Sequence, residues 1–173
     1  MNDSKGFTIS PIAHIKTDFE EKFGIPRQSG LVEGLEGRIV FEPEYRVREA
    51  LREIEGFSHL WIIWQFSKAV GNEWHPTVRP PRLGGNKRVG VFASRSPFRP
   101  NNLGLSCVKL LCIEEIAGLG ITLVVDGADL LDGTPIYDIK PYLPYADCKP
   151  DASGGFAEEV FDYSLKVNIP EAL

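Results

Sequence analysis

Two long apolar segments joined by a short turn constrain the fold of this chain most. Residues 105–116 and 121–131 each have the length and apolar character of a strand, and the sequence AGLG at positions 117–120 separates them. A connection this short places consecutive strands side by side in antiparallel orientation. The chain is therefore expected to contain an antiparallel sheet that includes a long hairpin.

Other segments also have strand character and extend the predicted sheet. Residues 7–15 alternate apolar with small or polar side chains, residues 38–41 and 89–93 are short apolar runs, and residues 135–143 alternate again. The run HLWIIWQF at 59–66 predicts a strand buried on both faces, and residues 159–167 predict a last strand or an amphipathic tail. We therefore predict a mainly β protein, a small, mostly antiparallel, closed β-barrel.

One short helix is predicted in addition, beginning near Pro43 and ending at Gly56. Proline is favoured in the first turn of a helix and glycine just after its end. The spacing of the apolar residues in this segment forms a single helical stripe, made up of Val47, Ala50, Leu51 and Ile54. Long loops are expected at residues 16–30 and 67–85, and loops of that length within a compact domain tend to be functional.

A basic segment stands out from an otherwise acidic chain. Residues 79–106 contain six of the 19 Lys and Arg residues, and no Asp or Glu occurs from 75 to 113, although the net charge is -5. Segregated positive charge attracts polyanions regardless of the overall charge. Four prolines and a pair of glycines predict a shaped, rigid loop. The alternative is a solvated basic loop without a ligand.

Arg95 and Arg99 flank a Ser-Pro-Phe turn within this segment. Two guanidinium groups so placed can hold a phosphate or carboxylate with paired donors, and Phe98 can stack on a base. The alternative is equally compatible with the spacing: Arg95 pairs with an acidic side chain and only braces the turn.

Four aspartates lie within thirteen positions, beside a lysine and two tyrosines. They are Asp126, Asp129, Asp132 and Asp138, next to Lys140, Tyr142 and Tyr145. Carboxylates in such surroundings can act as a general base or bind a ribose or a cationic ligand. Aspartates next to glycine are also ordinary turn residues. Asp138 is different because it lies in an alternating strand, where Asp is disfavoured, and Lys140 on the same face is the expected partner.

The remaining patterns restrict the function by exclusion. The glycines match neither the dinucleotide fingerprint nor the phosphate loop, so no Rossmann domain is expected. The three histidines and three cysteines lack metal-ligand spacing, so no metal is expected. At 173 residues the chain is expected to form one domain over residues 1–173. The sequence contains no apolar run of the length and position expected for a signal peptide or a membrane span, and we expect a cytoplasmic protein.

Five motifs together resemble the TrmO family (YaeB-like or TsaA-like) of S-adenosylmethionine-dependent tRNA methyltransferases. They are IPRQSG, GFSHLWII, WHPTVRPPRLGG, GVFASRSPFRPNNLGLS and DLLDGTPIYDIKPYLPY, which occur in that order. The resemblance implies a small β-barrel rather than a Rossmann domain, a homodimer, S-adenosylmethionine as cofactor and tRNA as substrate. It also implies methylation of N6 of N6-threonylcarbamoyladenosine next to the anticodon. The chain looks like a short form that lacks the additional C-terminal domain of some relatives.

The same resemblance implies a set of site residues. Cofactor-binding positions are Pro26, Arg27, Gln28, Ser67, Lys68, Arg95, Leu105, Asp129, Leu130, Leu131 and Asp132. At positions 67 and 68 relatives often have His and Gln, so this chain departs from the family there.

For the transfer itself, the acceptor nitrogen must lose a proton, and Asp138 and then Tyr142 are the candidate bases. Positions expected to contact tRNA or the modified base are Arg79, Arg82, Lys87, Arg88, Arg99 and Lys140. The alternative function is a non-catalytic nucleotide-binding or RNA-binding barrel that retains the cofactor pocket.

Overall fold

The computed structural model describes residues 6–71 and 73–158, and the predicted final segment at 159–167 lies outside them. The main sheet contains β1 (Ala13–Lys16), β2 (Glu36–Phe41), β3 (His59–Gln65), β6 (Leu103–Ile116), β7 (Gly120–Asp126) and β8 (Pro135–Pro141). A separate two-stranded ribbon contains β4 (Thr77–Val78) and β5 (Val89–Gly90).

All strand pairs of the main sheet are antiparallel, in the order β1-β2-β7-β6-β3-β8. β8 pairs with both β3 and β1, so the sheet closes on itself. We call this closed ring of strands the barrel. The prediction of a mainly β, antiparallel protein is confirmed; a single short helix is also present among the described residues, but not at the predicted place.

The core of the barrel consists of the inward-facing side chains of every strand. Alternate residues along β3 are buried, so this strand has one buried face and one half-exposed face, not the two buried faces predicted. Burial of large apolar side chains supplies most of the stabilisation, and the fully buried ones include Ile15, Ile39, Leu60, Ile62, Leu123, Leu130 and Ile136.

The predicted helix between Pro43 and Gly56 is wrong. Three separate 3₁₀ turns occupy this segment: Pro43–Tyr45, Arg48–Leu51 and Ile54–Gly56. Glu53 has a φ of 67°, which interrupts any continuous right-handed helix. Within the described residues the only α-helix is α1 (Pro144–Asp147), which follows β8.

Several strand boundaries also differ from the prediction. β1 begins at Ala13 rather than at residue 7, and Phe7 is almost fully exposed. β7 ends at Asp126 rather than at residue 131, because Gly127 has a φ of 76° and turns the chain. The segment predicted as a strand at 89–93 continues after β5 as a 3₁₀ turn, Val91–Ala93. The described residues include no helix with the length and hydropathy needed to cross a membrane.

Candidate functional site

Three long loops leave the barrel at the same end. β1, β3 and β7 run in one direction, since each is antiparallel to its neighbours, and all three end where a long loop begins. These loops comprise residues 17–35, 66–102 and 127–134. We call this end of the barrel the loop end. Candidate ligand-binding residues from distant parts of the sequence are therefore brought together there.

β6 is longer than β7, and residues of these loops bind the part of its edge that β7 leaves unpaired. Lys109 of β6 pairs with Asp126, the last residue of β7, so the preceding part of β6 extends beyond β7. Loop residues occupy this free edge: the Cys107 amide donates to Ser29 Oγ at 3.1 Å, and the Gly30 amide donates to the Gly127 carbonyl at 3.0 Å. The loop after Pro26 is thus fixed to the barrel.

Glycine is required where the two loops cross. A Cβ atom on Gly127 would lie 3.1 Å from both Cα and N of Gly30, and its positive φ is also unfavourable for other residues. This close approach places the segment that follows Gly127 against the segment that contains Gln28.

The structure brings Arg95 and Gln28 into contact. The Arg95 guanidinium donates to the side-chain oxygen of Gln28, whose amide donates to the carbonyl of Arg27. Arg95 comes from the basic segment and Gln28 from the first long loop. This contact joins the two loops, and the Arg95 charge also interacts with the carboxylate of Asp129.

Asp129 is the half-buried carboxylate of this site. Ser106 Oγ donates to its Oδ1 at 2.5 Å, and Trp64 Nε1 donates to Ser106 Oγ at 2.9 Å. Burial raises the pKa of the Asp129 carboxyl, outweighing the hydrogen bond from Ser106 and the positive charge of Arg95, which both lower it. A proton is therefore held more readily here than on an exposed aspartate.

Gly104 allows Trp64 to take its position. A Cβ atom on Gly104 would lie 2.5 Å from Cζ2 of the Trp64 indole. Any other residue at position 104 would therefore displace the ring. The indole packs against Phe66 at a centroid distance of 4.3 Å. Sequence reasoning missed Trp64 and Ser106, although a serine facing inward among apolar residues was a usable signal, because such a hydroxyl needs a partner.

The remaining positions predicted to bind the cofactor also lie at the loop end, and they differ in exposure and in the contacts that they make. Leu105 faces outward and is 53% exposed, whereas Leu130 is fully buried. Asp132 accepts a hydrogen bond from the Thr17 amide at 3.0 Å, which anchors the first loop. Half-buried or exposed positions at this end include Pro26, Arg27, Ser67, Lys68 and Leu131.

The positions expected to bind tRNA differ in how freely they can do so. Arg99 donates to the Ser94 carbonyl at 2.7 Å and braces the turn. Arg82 donates to the Ala157 carbonyl at 2.8 Å, and Arg88 to Thr77 Oγ1 at 3.2 Å. Arg79 and Lys87 are exposed around the β4-β5 ribbon.

The candidate bases lie on the outer face of the same sheet. Asp138 and Lys140 form the expected ion pair at 2.7 Å on the outer surface of β8. Asp138 and Leu105 both pair with Ile63 of β3, one from each side, so a single strand separates them.

Tyr142 follows β8 and packs against an outward-facing residue of β3. Its ring centroid is 5.7 Å from that of Trp61, and Trp61 pairs with Cys107 of β6. Burial raises the pKa of the Tyr142 hydroxyl. Both candidate bases are therefore on the face of the sheet that carries Leu105.

The described residues, 6–71 and 73–158, contain no group of three or more His, Cys, Asp and Glu side chains arranged to hold a metal ion. The three cysteines are free thiols.

These features define a class: a closed antiparallel β protein whose candidate ligand-binding residues lie on long loops at one end, and whose described part contains no parallel βαβ unit. Residues 14–148 match the tRNA-methyltransferase O N-terminal domain. The chain belongs to the tRNA-methyltransferase O family.

Its relatives have related names. The chain is 46% identical over 155 residues to the tRNA (adenine(37)-N6)-methyltransferase of Escherichia coli, covering 88% of this chain and 64% of that protein. It is also 46% identical to a putative S-adenosylmethionine-dependent methyltransferase, RcsF, of Pseudomonas aeruginosa, covering 87% of this chain and 61% of that protein. The chain thus spans less than two thirds of these relatives.

A solved structure agrees with the family assignment. The crystal structure of TrmO from Pseudomonas aeruginosa superposes with a TM-score of 0.73 at 40% sequence identity, covering 89% of this chain and 64% of that one.

Proposed function

We propose that this protein transfers the methyl group of S-adenosylmethionine to N6 of a tRNA adenosine next to the anticodon, with N6-threonylcarbamoyladenosine as the acceptor. The observation that carries the proposal is the meeting of Arg95, Gln28 and Asp129 at the loop end, within the segment that matches the family domain. The closed barrel is proposed as the rigid scaffold for these loops.

The residues at the loop end fit the chemical groups of the proposed cofactor. Arg95 is a suitable partner for its carboxylate, and Asp129 for its ammonium or ribose hydroxyl groups. Leu105 offers an exposed apolar surface beside them for a purine ring. When bound, S-adenosylmethionine supplies an electrophilic methyl group on a sulfonium. The protein's part is to hold the acceptor nitrogen in line with it, and positioning of this kind can remove much of a barrier.

The proton on N6 requires an acceptor. Asp138 and Tyr142 remain our candidates, with Lys140 and Arg99 for the threonyl carboxylate or a phosphate. We also propose that the protein forms a homodimer. As the N–CH₃ bond forms, the bond between the methyl carbon and sulfur would break and S-adenosylhomocysteine would leave, while the N6 proton passes to the carboxylate or phenolate.

The test of the reaction uses labelled S-adenosylmethionine with tRNA that carries the threonylcarbamoyl group, and unmodified tRNA as the control. We expect label on the modified tRNA alone. Binding of the cofactor without transfer would instead support a non-catalytic binding protein.

Substitutions test the two proposed roles separately. Arg95→Ala should lower activity at limiting S-adenosylmethionine, whereas Asp138→Asn should lower the rate even when cofactor and tRNA are saturating. Activity of Asp138→Asn at the wild-type rate would exclude Asp138 as the base.

A further inference from the structure

Phe92 is an exposed aromatic side chain on a fixed backbone. The residue is 75% exposed although Val91, directly before it, is buried. The Val91 amide donates to the Pro76 carbonyl at 3.0 Å, and the Ser94 amide and hydroxyl both donate to the Val91 carbonyl, at 3.1 and 2.8 Å. The 3₁₀ turn that carries Phe92 is thus attached to the β4-β5 ribbon.

Arg99 lies against this ring and is itself fixed. Its guanidinium carbon is 6.0 Å from the centre of the Phe92 ring. The guanidinium donates to the Ser94 carbonyl at 2.7 Å, so it stays beside the ring instead of extending into solvent. A cation next to one side of an aromatic ring is attracted by the ring's electrons. The Phe92 ring, which we call the plate, is therefore exposed, fixed in position and next to a positive charge.

The positive charge around the plate indicates which kind of ligand it can bind. Residues 75–113 contain no acidic side chain, and Arg95 follows three positions after Phe92. Phe98, which is 42% exposed, lies in the turn between Arg95 and Arg99. Aromatic rings next to cationic side chains suit single-stranded nucleic acid, because bases stack on the rings while phosphates meet the charges.

We propose that Phe92, supported by Arg99, stacks on an unpaired base of the tRNA anticodon loop adjacent to the adenosine that is methylated. The inference rests on the proposed function and extends it, because it names the side chain that holds the loop beside the cofactor site. This role of Arg99 in supporting Phe92 also explains why Arg99, a residue expected to bind tRNA, donates its hydrogen bonds to the protein's own backbone.

The experiment compares Phe92→Ala, Phe92→Trp and, as a matched control, Tyr145→Ala. Tyr145 is 86% exposed but lies on α1, which follows β8 and is outside the basic segment. Steady-state kinetics with threonylcarbamoylated tRNA and direct measurement of S-adenosylmethionine affinity are made for each protein. We expect Phe92→Ala to raise the KM for tRNA about ten-fold, in line with the loss of one stacked base. Phe92→Trp should retain tight tRNA binding, and Tyr145→Ala should behave as the wild type.

A spectroscopic readout tests stacking itself. An anticodon stem-loop with 2-aminopurine beside the target adenosine should change its fluorescence on binding wild-type protein, and this change should be absent with Phe92→Ala. An unchanged KM for tRNA in Phe92→Ala would overturn the inference. So would an equal loss of cofactor affinity, which would assign the plate to the cofactor's adenine, or a change of oligomeric state, which would assign it to a second copy.

The two proposals fail in different ways. If the wild-type protein transfers no methyl group, the proposed function fails, and the stem-loop fluorescence still tests stacking. If the wild type is active and Phe92→Ala is equally active at low tRNA concentration, only the stacking inference fails.

Discussion

Ser106 and Asp129 are joined by a hydrogen bond of 2.5 Å between the hydroxyl oxygen and Oδ1. Ser106 faces the inside of the barrel on β6, and Asp129 is in the loop that follows β7. Since Trp64 donates to the same hydroxyl, a chain of hydrogen bonds extends from the core to the candidate cofactor site. The loop end is therefore continuous with the folded core.

Removal of this hydroxyl should destabilise the protein. Ser106→Ala leaves the buried Trp64 Nε1–H without its acceptor, and an unsatisfied buried donor costs about 1–3 kcal/mol. Urea denaturation followed by tryptophan fluorescence should show a loss of that size in the free energy of unfolding. Ser153→Ala, at an exposed position, is the control and should lie within about 0.5 kcal/mol of the wild type.

Asp129→Asn should separate stability from function. The pKa of Asp129 is raised mainly by burial, so the folded state binds more protons than the unfolded state between the two pKa values. Stability therefore falls as pH rises through that interval and stays lower above it. The neutral amide should raise Tm near neutral pH, and this gain should disappear below about pH 4, near the ordinary pKa of aspartate.

Cofactor affinity should fall in the same Asp129→Asn variant. Thermal unfolding across the pH range, together with calorimetric titration of S-adenosylmethionine, checks both parts. A lower Tm near neutral pH would contradict the electrostatic argument. Asp151→Asn, at an exposed position, is the matched control for thermal unfolding.

Arg95→Ala and Lys87→Ala should affect different ligands. Arg95 contacts Gln28 at the loop end, so its removal should weaken S-adenosylmethionine binding by about ten-fold, as expected for a lost hydrogen bond to a charged group. Lys87 is exposed near the β4-β5 ribbon, so its removal should weaken tRNA binding and lower its salt slope by about 1. Equal effects of both substitutions on both ligands would refute this division.

The thiols of β6 should differ in reactivity. Cys107 is half-buried, and burial together with the negative charge of Asp147 raises the pKa of its thiol, whereas Cys112 is exposed. Thiolate is the reactive form, so Cys107 should be alkylated more slowly than Cys112. Timed iodoacetamide labelling followed by peptide mass spectrometry measures this order. Faster labelling of Cys107 would mean that its edge of β6 opens readily.

The sequence predicted the strands better than the single helix. The long hairpin was recognisable because a short glycine turn between two apolar runs permits little else. The stripe of Val47, Ala50, Leu51 and Ile54 has helical spacing, yet Val47 is 46% exposed and only Leu51 is fully part of the core. A short helix has a costly nucleus, and the chain instead crosses the end of the barrel in three 3₁₀ turns.

The candidate site was only partly predictable. The basic segment and the loop with Gln28 could be recognised from charge, glycine and proline content. The contact between Arg95 and Gln28 spans 67 positions, and no local pattern indicates it. Trp64 and Ser106 were missed for the same reason, because their importance depends on which strand lies beside which.

By itself, the sequence determined the class of fold, the positive segment and the absence of a Rossmann fingerprint, since alternation, turn residues and charge are local properties. Only the tertiary structure decided which loops share one end of the barrel. Strand direction and the extension of β6 beyond β7 bring Gln28, Arg95, Ser106 and Asp129 together. These relations depend on long-range strand pairing, which is set by packing of the whole core and not by neighbouring residues.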